Sequence, residues 1–348
     1  MSQKKKRAVI IGLGNIGFKF SRYHLPFHTT HFETYRANPM IDLVAVADSD
    51  RIALRAVGRV CSGHRYADYR ELLKREQPEI VSVCTPDQTH FPIIQALLRT
   101  PSVRGIWCEK PLSVSLDEAR KMVADCEKRG VKLLVNFVRR YDPFYRLLKK
   151  RLKSLMGEIQ TISCYYSGGI LTSGSHLLDI LSFLLGPCEE VIGAKMKRGV
   201  AGRLRFGRVW VDLIPLATEH YSILEMNIFG SRARLDTVNK PFGEYEYRYY
   251  LKQKDSVLGL EFIAGKTARP LPQNLPRNYM DLALKDLLKS IRQKQNPCSS
   301  GKTALTSLEL IHALLYSSEA GGETISLPFH KKLKNLPQSG GDLKRLKL

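Results

Sequence analysis

Lys6-Arg7-Ala8-Val9-Ile10-Ile11-Gly12-Leu13-Gly14-Asn15-Ile16-Gly17 is the stretch that decides how the rest of this 348-residue chain is read. Arg7 to Ile11, apolar after Arg7 and β-branched from Val9, has the pattern of a short buried strand. It passes directly into glycines spaced G-x-G-x-x-G, the spacing of a dinucleotide-binding turn. Each glycine meets a separate demand: a tight exit from the strand at Gly12, backbone access to a pyrophosphate at Gly14, and close helix-to-sheet contact at Gly17. A helix expected from about Asn15 would aim the amides of Asn15 and Ile16, and its positive dipole end, at the phosphates. Glycine triplets also occur in ordinary loops, so the strand in front of this one is what gives it meaning.

Outward from that turn, a second strand expected over 41–47 ends at Asp48, where a carboxylate can take the adenosine ribose hydroxyls. Asp48 favours NAD, since the 2′-phosphate of NADP would meet a like charge there; Arg51 and a surplus of positive charge soften that preference. Asp48 follows Gly17 by 31 residues, against roughly 20 in the usual motif. The excess falls in the histidine-rich segment 23–35. His24, His28 and His31 stand at i, i+4 and i+7, a spacing that one helix face could turn toward a metal. Pro26 interrupts that helix and no thiol or acid lies between the histidines, so the expectation is no metal and a lip over the cofactor or substrate.

The bulk numbers set the class. The length suits two domains, and 43% hydrophobic residues can build both cores. No apolar run approaches the roughly 18 residues of a membrane span, and the basic start leads into a strand rather than a signal-peptide core. Seven cysteines, odd in number and never spaced C-x-x-C, suggest neither a disulfide framework nor a zinc ribbon. A cytoplasmic protein with reduced cysteines is expected. The net charge of +22 is carried partly at the ends, on Lys4, Lys5, Lys6 and Arg7 and on six basic residues after His330. Without a concentrated basic and aromatic module, it argues for anionic cofactors and sugars rather than nucleic acid.

Strands expected over 64–66, 79–84, 104–108 and 131–135 alternate with helices over 51–60, 68–76, 91–99 and 115–129, the signature of a doubly wound parallel sheet. Ligands belong at the carboxyl ends of such strands, where Gly12, Asp48, Thr85, Glu109, Lys110 and Asn136 fall. From Phe137 the pattern changes. A basic helix to 155, a strand over 159–166, an apolar helix to 185 and strands over 191–197, 208–213, 220–229, 233–238 and 245–251 indicate an α+β domain with a largely antiparallel open sheet. Helices over 280–292 and 303–318 close it. The expected division is 1–136 for the Rossmann domain, 137–328 for the second domain and 329–348 for a disordered basic tail.

Four motifs in the right order give the chain a family resemblance. They are the glycine turn; Thr85-Pro86-x-x-x-His90; Cys108-Glu109-Lys110-Pro111; and Gly168-Gly169 followed by Gly174-x-His176-x-x-Asp179. Over residues 6 to 328 the chain resembles the glucose-fructose oxidoreductase / inositol dehydrogenase / MocA family. The resemblance implies an NAD(P)-dependent oxidoreductase acting on a sugar, polyol or nucleotide-linked sugar, forming a homodimer or homotetramer through the second domain's sheet. Family members usually carry an aspartate four residues before the histidine; here that position is Thr172. A hydroxyl cannot hold charge beside the imidazole, which leaves His176 less basic and keeps open a non-catalytic sensor of the same fold. The wording around Gly168 to Asp179 is also similar to members from surface-polysaccharide gene sets, pointing to a bacterial glycan sugar.

Taking a hydride from a carbinol carbon requires a group to receive the hydroxyl proton. Lys110 is the first candidate and His176 the second; their plain alternatives are a lysine paired with phosphate or Glu109 and a satisfied core histidine. Thr172 can orient the substrate or merely cap a helix, and Asp179 reads as structural. Arg139, Arg140 and Tyr141 can bind a substrate anion or form a solvated basic patch. Tyr165 and Tyr166 alternate across a strand, so at most one faces a cleft; Tyr166 is the expectation. The cofactor set expected is Gly12, Gly14, Asn15, Ile16, Gly17, Asp48, Arg51, Thr85, Pro86, His90, Glu109 and Lys110.

Overall fold

Short apolar strands alternating with amphipathic helices can bury both faces of a parallel sheet, and the first part of the chain does so. The computed structural model describes residues 4–197, 199–218, 221–239, 245–254, 261–263, 271 and 275–330. In chain order the first part contains β1 (Lys6–Ile11), α1 (His31–Ala37), β2 (Ile41–Ala47), α2 (Arg51–Val57), β3 (His64–Tyr66), α3 (Tyr69–Glu76), β4 (Ile80–Val83), α4 (His90–Leu98), β5 (Gly105–Cys108), α5 (Leu116–Arg129) and β6 (Lys132–Val135). The helices start where side chains can cap them: Thr30 and Glu33 form a reciprocal capping box on α1, while Asp50, Asp68 and Ser115 cap α2, α3 and α5.

The six strands are parallel and lie in the order β3-β2-β1-β4-β5-β6. The chain winds outward from β1 to β3 and then returns to β4, so the strand order reverses between β1 and β4. That reversal opens a crevice at their carboxyl ends, next to Gly12 and Cys84.

Beyond β6 come α6 (Pro143–Met156), β7 (Ile159–Tyr166), α7 (Ser175–Leu185), β8 (Glu190–Met196), β9 (Gly199–Phe206), β10 (Val209–Pro215), β11 (Leu224–Gly230), β12 (Ala233–Asn239), β13 (Tyr245–Lys254), β14 (Glu261–Ile263), α8 (Tyr279–Gln293), α9 (Gly301–Glu319) and β15 (Ile325–Ser326). Among the described residues nine strands form one sheet, ordered β14-β13-β12-β11-β7-β10-β9-β8-β15. Only the β7–β10 pair is parallel. Alternation along β7 buries Ile162, Cys164 and Tyr166 on one face, as a sheet covered on one side requires.

The chain separates into two compact units, Met1–Asp142 with Arg277–Leu305 and Pro143–Pro276 with Thr306–Leu348. The first unit thus extends past residue 136 and recovers α8, expected in the second domain. Met280, Ala283, Leu284 and Leu287 of α8 join Trp107 and Leu134 in the core of the first sheet; apolar burial, not chain order, assigns the helix. Of the tail expected over 329–348, residues 331–348 lie outside the described ones. Phe329 is buried, its ring 5.8 Å from that of Tyr316. The strand expected from His220 starts at Leu224, and His220 itself lies outside the described residues.

Candidate active site

The glycine turn has the shape a dinucleotide needs. Gly12 leaves β1 with φ +95°, where a side chain is strained, and a Cβ there would come within 2.6 Å of the Cys84 carbonyl carbon. A Cβ on Gly17 would collide with the Gly12 carbonyl oxygen, whereas around Gly14 no atom lies within 4 Å of that position. The space at Gly14 is what an approaching pyrophosphate requires. The helix expected from about Asn15 is only a turn. Gly14 to Phe18 form one turn, followed by a 3-10 helix over Lys19–Tyr23 that stops at His24 in the left-handed region. What the turn can offer a phosphate is its own amides rather than a long helix dipole.

Asp48 closes the turn from the side. Its Oδ2 accepts from the Leu13 amide at 2.6 Å and its Oδ1 from the Asp50 amide at 2.8 Å. A carboxylate has about four acceptor positions, so the ribose hydroxyls can still donate to it. Arg51 is exposed at the start of α2. Thr85 accepts from the Thr89 hydroxyl at 2.7 Å, and Pro86 precedes a 3-10 turn over Asp87–Thr89.

His90, expected among the cofactor residues, has both ring nitrogens turned to backbone carbonyls. It is buried, with Nε2 2.9 Å from the Thr85 carbonyl and Nδ1 3.0 Å from that of Pro111. The ring ties the loop after β4 to the loop after β5, which a side chain at the foot of a crevice can do while touching no ligand.

Glu109 and Lys110 follow β5, and the Lys110–Pro111 bond is cis. Burial alone pushes the Glu109 carboxyl up, but the hydrogen bond and charge of His31, then Asn136 and Lys110, bring it below the usual carboxylate value. His31 Nε2 lies 3.0 Å and Asn136 Nδ2 2.6 Å from Glu109 Oε1. The Lys110 ammonium is pushed below the ordinary lysine value, chiefly by burial and also by Arg139; Glu109 and Asp87 oppose that. A lysine so placed moves toward the range useful for proton transfer.

Sequence reasoning missed His31, which it considered only in a metal-binding trio. His24, His28 and His31 share no helix face, because His24 ends one short helix and His31 begins another. His28 Nδ1 bonds Asp281 at 2.8 Å, and His31 Nδ1 lies 2.7 Å from Ser82 Oγ. Among the described residues no group of three ligand side chains could hold a metal. The inserted segment lines a cavity of about 880 Å³ that includes Phe18, Arg22, Phe32 and Ala53. The only hint of a role for His31 was a histidine at the head of an apolar helix.

Arg140 and Tyr141, expected as a substrate-anion site or a solvated basic patch, are not a solvated patch. Arg140 is buried and donates to the Cys298 carbonyl, and Tyr141 donates to Asp286 Oδ2 at 2.8 Å. Both are drawn inward by the turn that ends the first sheet. Arg139 alone of the three is half-buried, with its charge acting on Lys110.

In the second unit, residues Ile170–Gly174 form a π-helical turn that feeds α7. The Thr172 hydroxyl donates to the Gly168 and Gly169 carbonyls. His176 is half-buried on the first turn of α7. Asp179 is buried and accepts from Ser307 Oγ at 3.2 Å, which makes it a framework residue. Tyr166, expected at the substrate, is buried with its hydroxyl donating to the Val200 carbonyl at 2.8 Å; it joins β7 to β9 instead.

Comparison with known proteins follows this geometry. Residues 6–137 match the model of the GFO_IDH_MocA oxidoreductase family, NAD-binding Rossmann fold. The D-apiose dehydrogenase of Paraburkholderia graminis is 25% identical over 93% of this chain and 90% of its own length. The inositol 2-dehydrogenase of Rubrobacter xylanophilus is 32% identical, over 42% of this chain and 39% of its own length. The WlbA dehydrogenase of Bordetella pertussis, solved with NADH and UDP-GlcNAcA, has the same fold: TM-score 0.72 at 19% identity, covering 95% of this chain and 100% of that one. Residues 6–137 are thus the NAD-binding Rossmann domain of the glucose-fructose oxidoreductase / inositol dehydrogenase / MocA type of oxidoreductase.

Proposed function

We propose that the protein is an NAD(P)-dependent dehydrogenase of a sugar, polyol or nucleotide-linked sugar, with NAD preferred. One observation carries the reading: Lys110, its ammonium held below the ordinary value by burial, follows β5, the strand beside β4 at the crevice of the glycine turn. When bound, the nicotinamide supplies the hydride acceptor or donor. Lys110 takes or returns the hydroxyl proton, Asp48 selects the ribose, and His176 is assigned the second proton-transfer position. The hydroxyl-rich compounds printed with relatives, apiose and inositol in enzyme names and UDP-GlcNAcA in a solved complex, support the class. A place in surface-polysaccharide sugar metabolism follows from the resemblance around Gly168 to Asp179.

The same reading includes self-association through the nine-stranded sheet, as a homodimer or homotetramer. Tyr165, Ile192, Trp210 and Phe229 are half-buried on strands of that sheet, which suits a further covering surface. A cytoplasmic setting belongs to the same reading and is supported by the seven free cysteines; no described helix is long and apolar enough to cross a membrane.

The test is absorbance at the reduced-cofactor band with purified protein, NAD or NADP, and a panel of sugars, inositols and UDP-sugars. Turnover of at least one, lost by about 10²-fold or more in Lys110→Ala with cofactor binding retained, is expected. Cofactor binding without turnover of any of them overturns the assignment in favour of a sensor. That second reading has its own observation: the Thr172 hydroxyl, standing where the family has an acid, is spent on backbone carbonyls.

A further inference from the structure

We propose that His31 is a positioning residue for the Glu-Lys-Pro turn, fixing the Glu109 carboxylate in its charged state and thereby setting the field in which Lys110 exchanges its proton. The inference deepens the dehydrogenase reading, since it rests on Lys110 as the proton-transfer group.

The geometry is a buried polar chain inside one unit. Ser82 Oγ donates to the Tyr35 hydroxyl at 2.7 Å and lies 2.7 Å from His31 Nδ1. His31 Nε2 meets Glu109 Oε1 at 3.0 Å, Asn136 Nδ2 donates to the same oxygen at 2.6 Å, and Trp107 Nε1 donates to Asn136 Oδ1 at 3.1 Å. His31, Ser82, Tyr35 and Trp107 are almost wholly buried, and the rings of His31 and Trp107 lie 4.1 Å apart.

A carboxylate only accepts, so Nε2 carries the proton on the His31–Glu109 bond. A buried carboxylate without enough donors takes up a proton rather than stay charged. Two donors on one oxygen, from α1 and from the end of β6, prevent that. The other ionisable groups facing Glu109 are Lys110 and the thiols of Cys84 and Cys108, and burial first, then the Glu109 charge, pushes both thiols up. Around Lys110 stand Glu109, Arg139 and Asp87. Glu109 is thus a source of negative charge for the Lys110 ammonium, and His31 keeps that charge in place.

Two substitutions separate positioning from mere packing. Glutamine carries its amide near the Nε2 position and keeps a donor to Glu109; asparagine reaches only the Nδ1 position, toward Ser82. The readout is the pH dependence of Lys110 acetylation by acetic anhydride, followed by peptide mass spectrometry, which needs no turnover. In His31→Asn the Glu109 carboxylate, held by one donor fewer, can swing away from Lys110. The Lys110 midpoint is then expected to move down by about half a pH unit or more, as displacement of a neighbouring negative charge requires, while His31→Gln keeps the wild-type value. An unchanged or raised midpoint in His31→Asn, or an equal shift in both variants, overturns the proposal. Should either variant fail to fold, 15N-histidine NMR of the unsubstituted protein decides: a His31 Nε2 without a proton overturns it, and a protonated Nε2 at neutral pH upholds it. Turnover with a Lys110 midpoint blind to His31 would sink this inference alone; the expected midpoints with no turnover of any sugar would sink the dehydrogenase reading alone.

Discussion

The Leu13 amide donates to Asp48 Oδ2 at 2.6 Å, so the middle of the glycine turn is tied directly to the end of the second strand. One carboxylate holds the turn, and in the proposed function it also meets the ribose. In Asp48→Asn an amide oxygen still accepts the Leu13 proton while the charge is gone. The NADPH-to-NADH affinity ratio is expected to rise by about tenfold, equivalent to ~1.4 kcal/mol. Fluorescence titration with each reduced cofactor checks this, and an unchanged ratio would remove Asp48 from cofactor selection.

Gly14 and Gly17 should fail in different ways. A methyl group at Gly14 meets no atom of the protein, but at Gly17 it strikes the Gly12 carbonyl. Gly14→Ala is therefore expected to melt within a degree or two of wild type yet bind NADH at least about tenfold more weakly, since the added carbon occupies the pyrophosphate approach. Gly17→Ala should lower the melting temperature by several degrees, as overpacking of about 1–3 kcal/mol does. Thermal unfolding and cofactor titration on the two variants check the contrast.

Glu109 makes stability depend on acid. Its folded pKa lies below the unfolded value, so the ionised carboxylate contributes stability above the usual range near 4.5, and that contribution is lost as pH falls through the folded value. Wild type should exceed Glu109→Gln by about 1.5–3 kcal/mol at neutral pH, the scale of hydrogen bonds to a charged group. The gap should close in acid. Denaturant unfolding of both proteins from pH 7 to pH 3 measures it; a gap independent of pH would contradict the assigned state of Glu109.

Tyr166 belongs to the framework of the second sheet. Its hydroxyl bonds both the amide and the carbonyl of Val200. Tyr166→Phe should cost about 1–2 kcal/mol of stability by leaving buried backbone groups underbonded, with KM for the sugar within about twofold of wild type. Chemical unfolding and steady-state kinetics check both halves.

Local pattern made much of this fold legible. Apolar runs ending in glycine, aspartate or threonine located β1, β2 and β4, and the helix starts expected at Asp68 and Ser115 fall on the N-caps of α3 and α5. What escaped was non-local or lacked a signal. β9 contains Gly199 and Gly202, which weaken a strand pattern, and β15 has only two residues. The return of α8 to the first sheet depends on an apolar face finding a partner more than a hundred residues away, which periodicity cannot specify. The site shows the same divide. Gly12, Asp48 and Lys110 announced themselves by motif, whereas the His31–Glu109 pair spans 78 positions, and the burial of Arg140 and Tyr166 is a property of packing.

The detour between the glycine turn and α1 departs and comes home at one spot: the His31 amide reaches the Ile16 carbonyl at 3.0 Å, and the Phe32 amide reaches that of Gly17 at 3.2 Å. The polypeptide therefore draws a lariat whose neck is pinned by two main-chain bonds. Polymer closure grows only logarithmically with contour length, by about 0.6 kcal/mol per doubling, so the noose over 18–30 can be lengthened or trimmed without disturbing strand register. That makes it the natural graft point of the domain, where new recognition surface can be spliced in beside a nucleotide groove left intact.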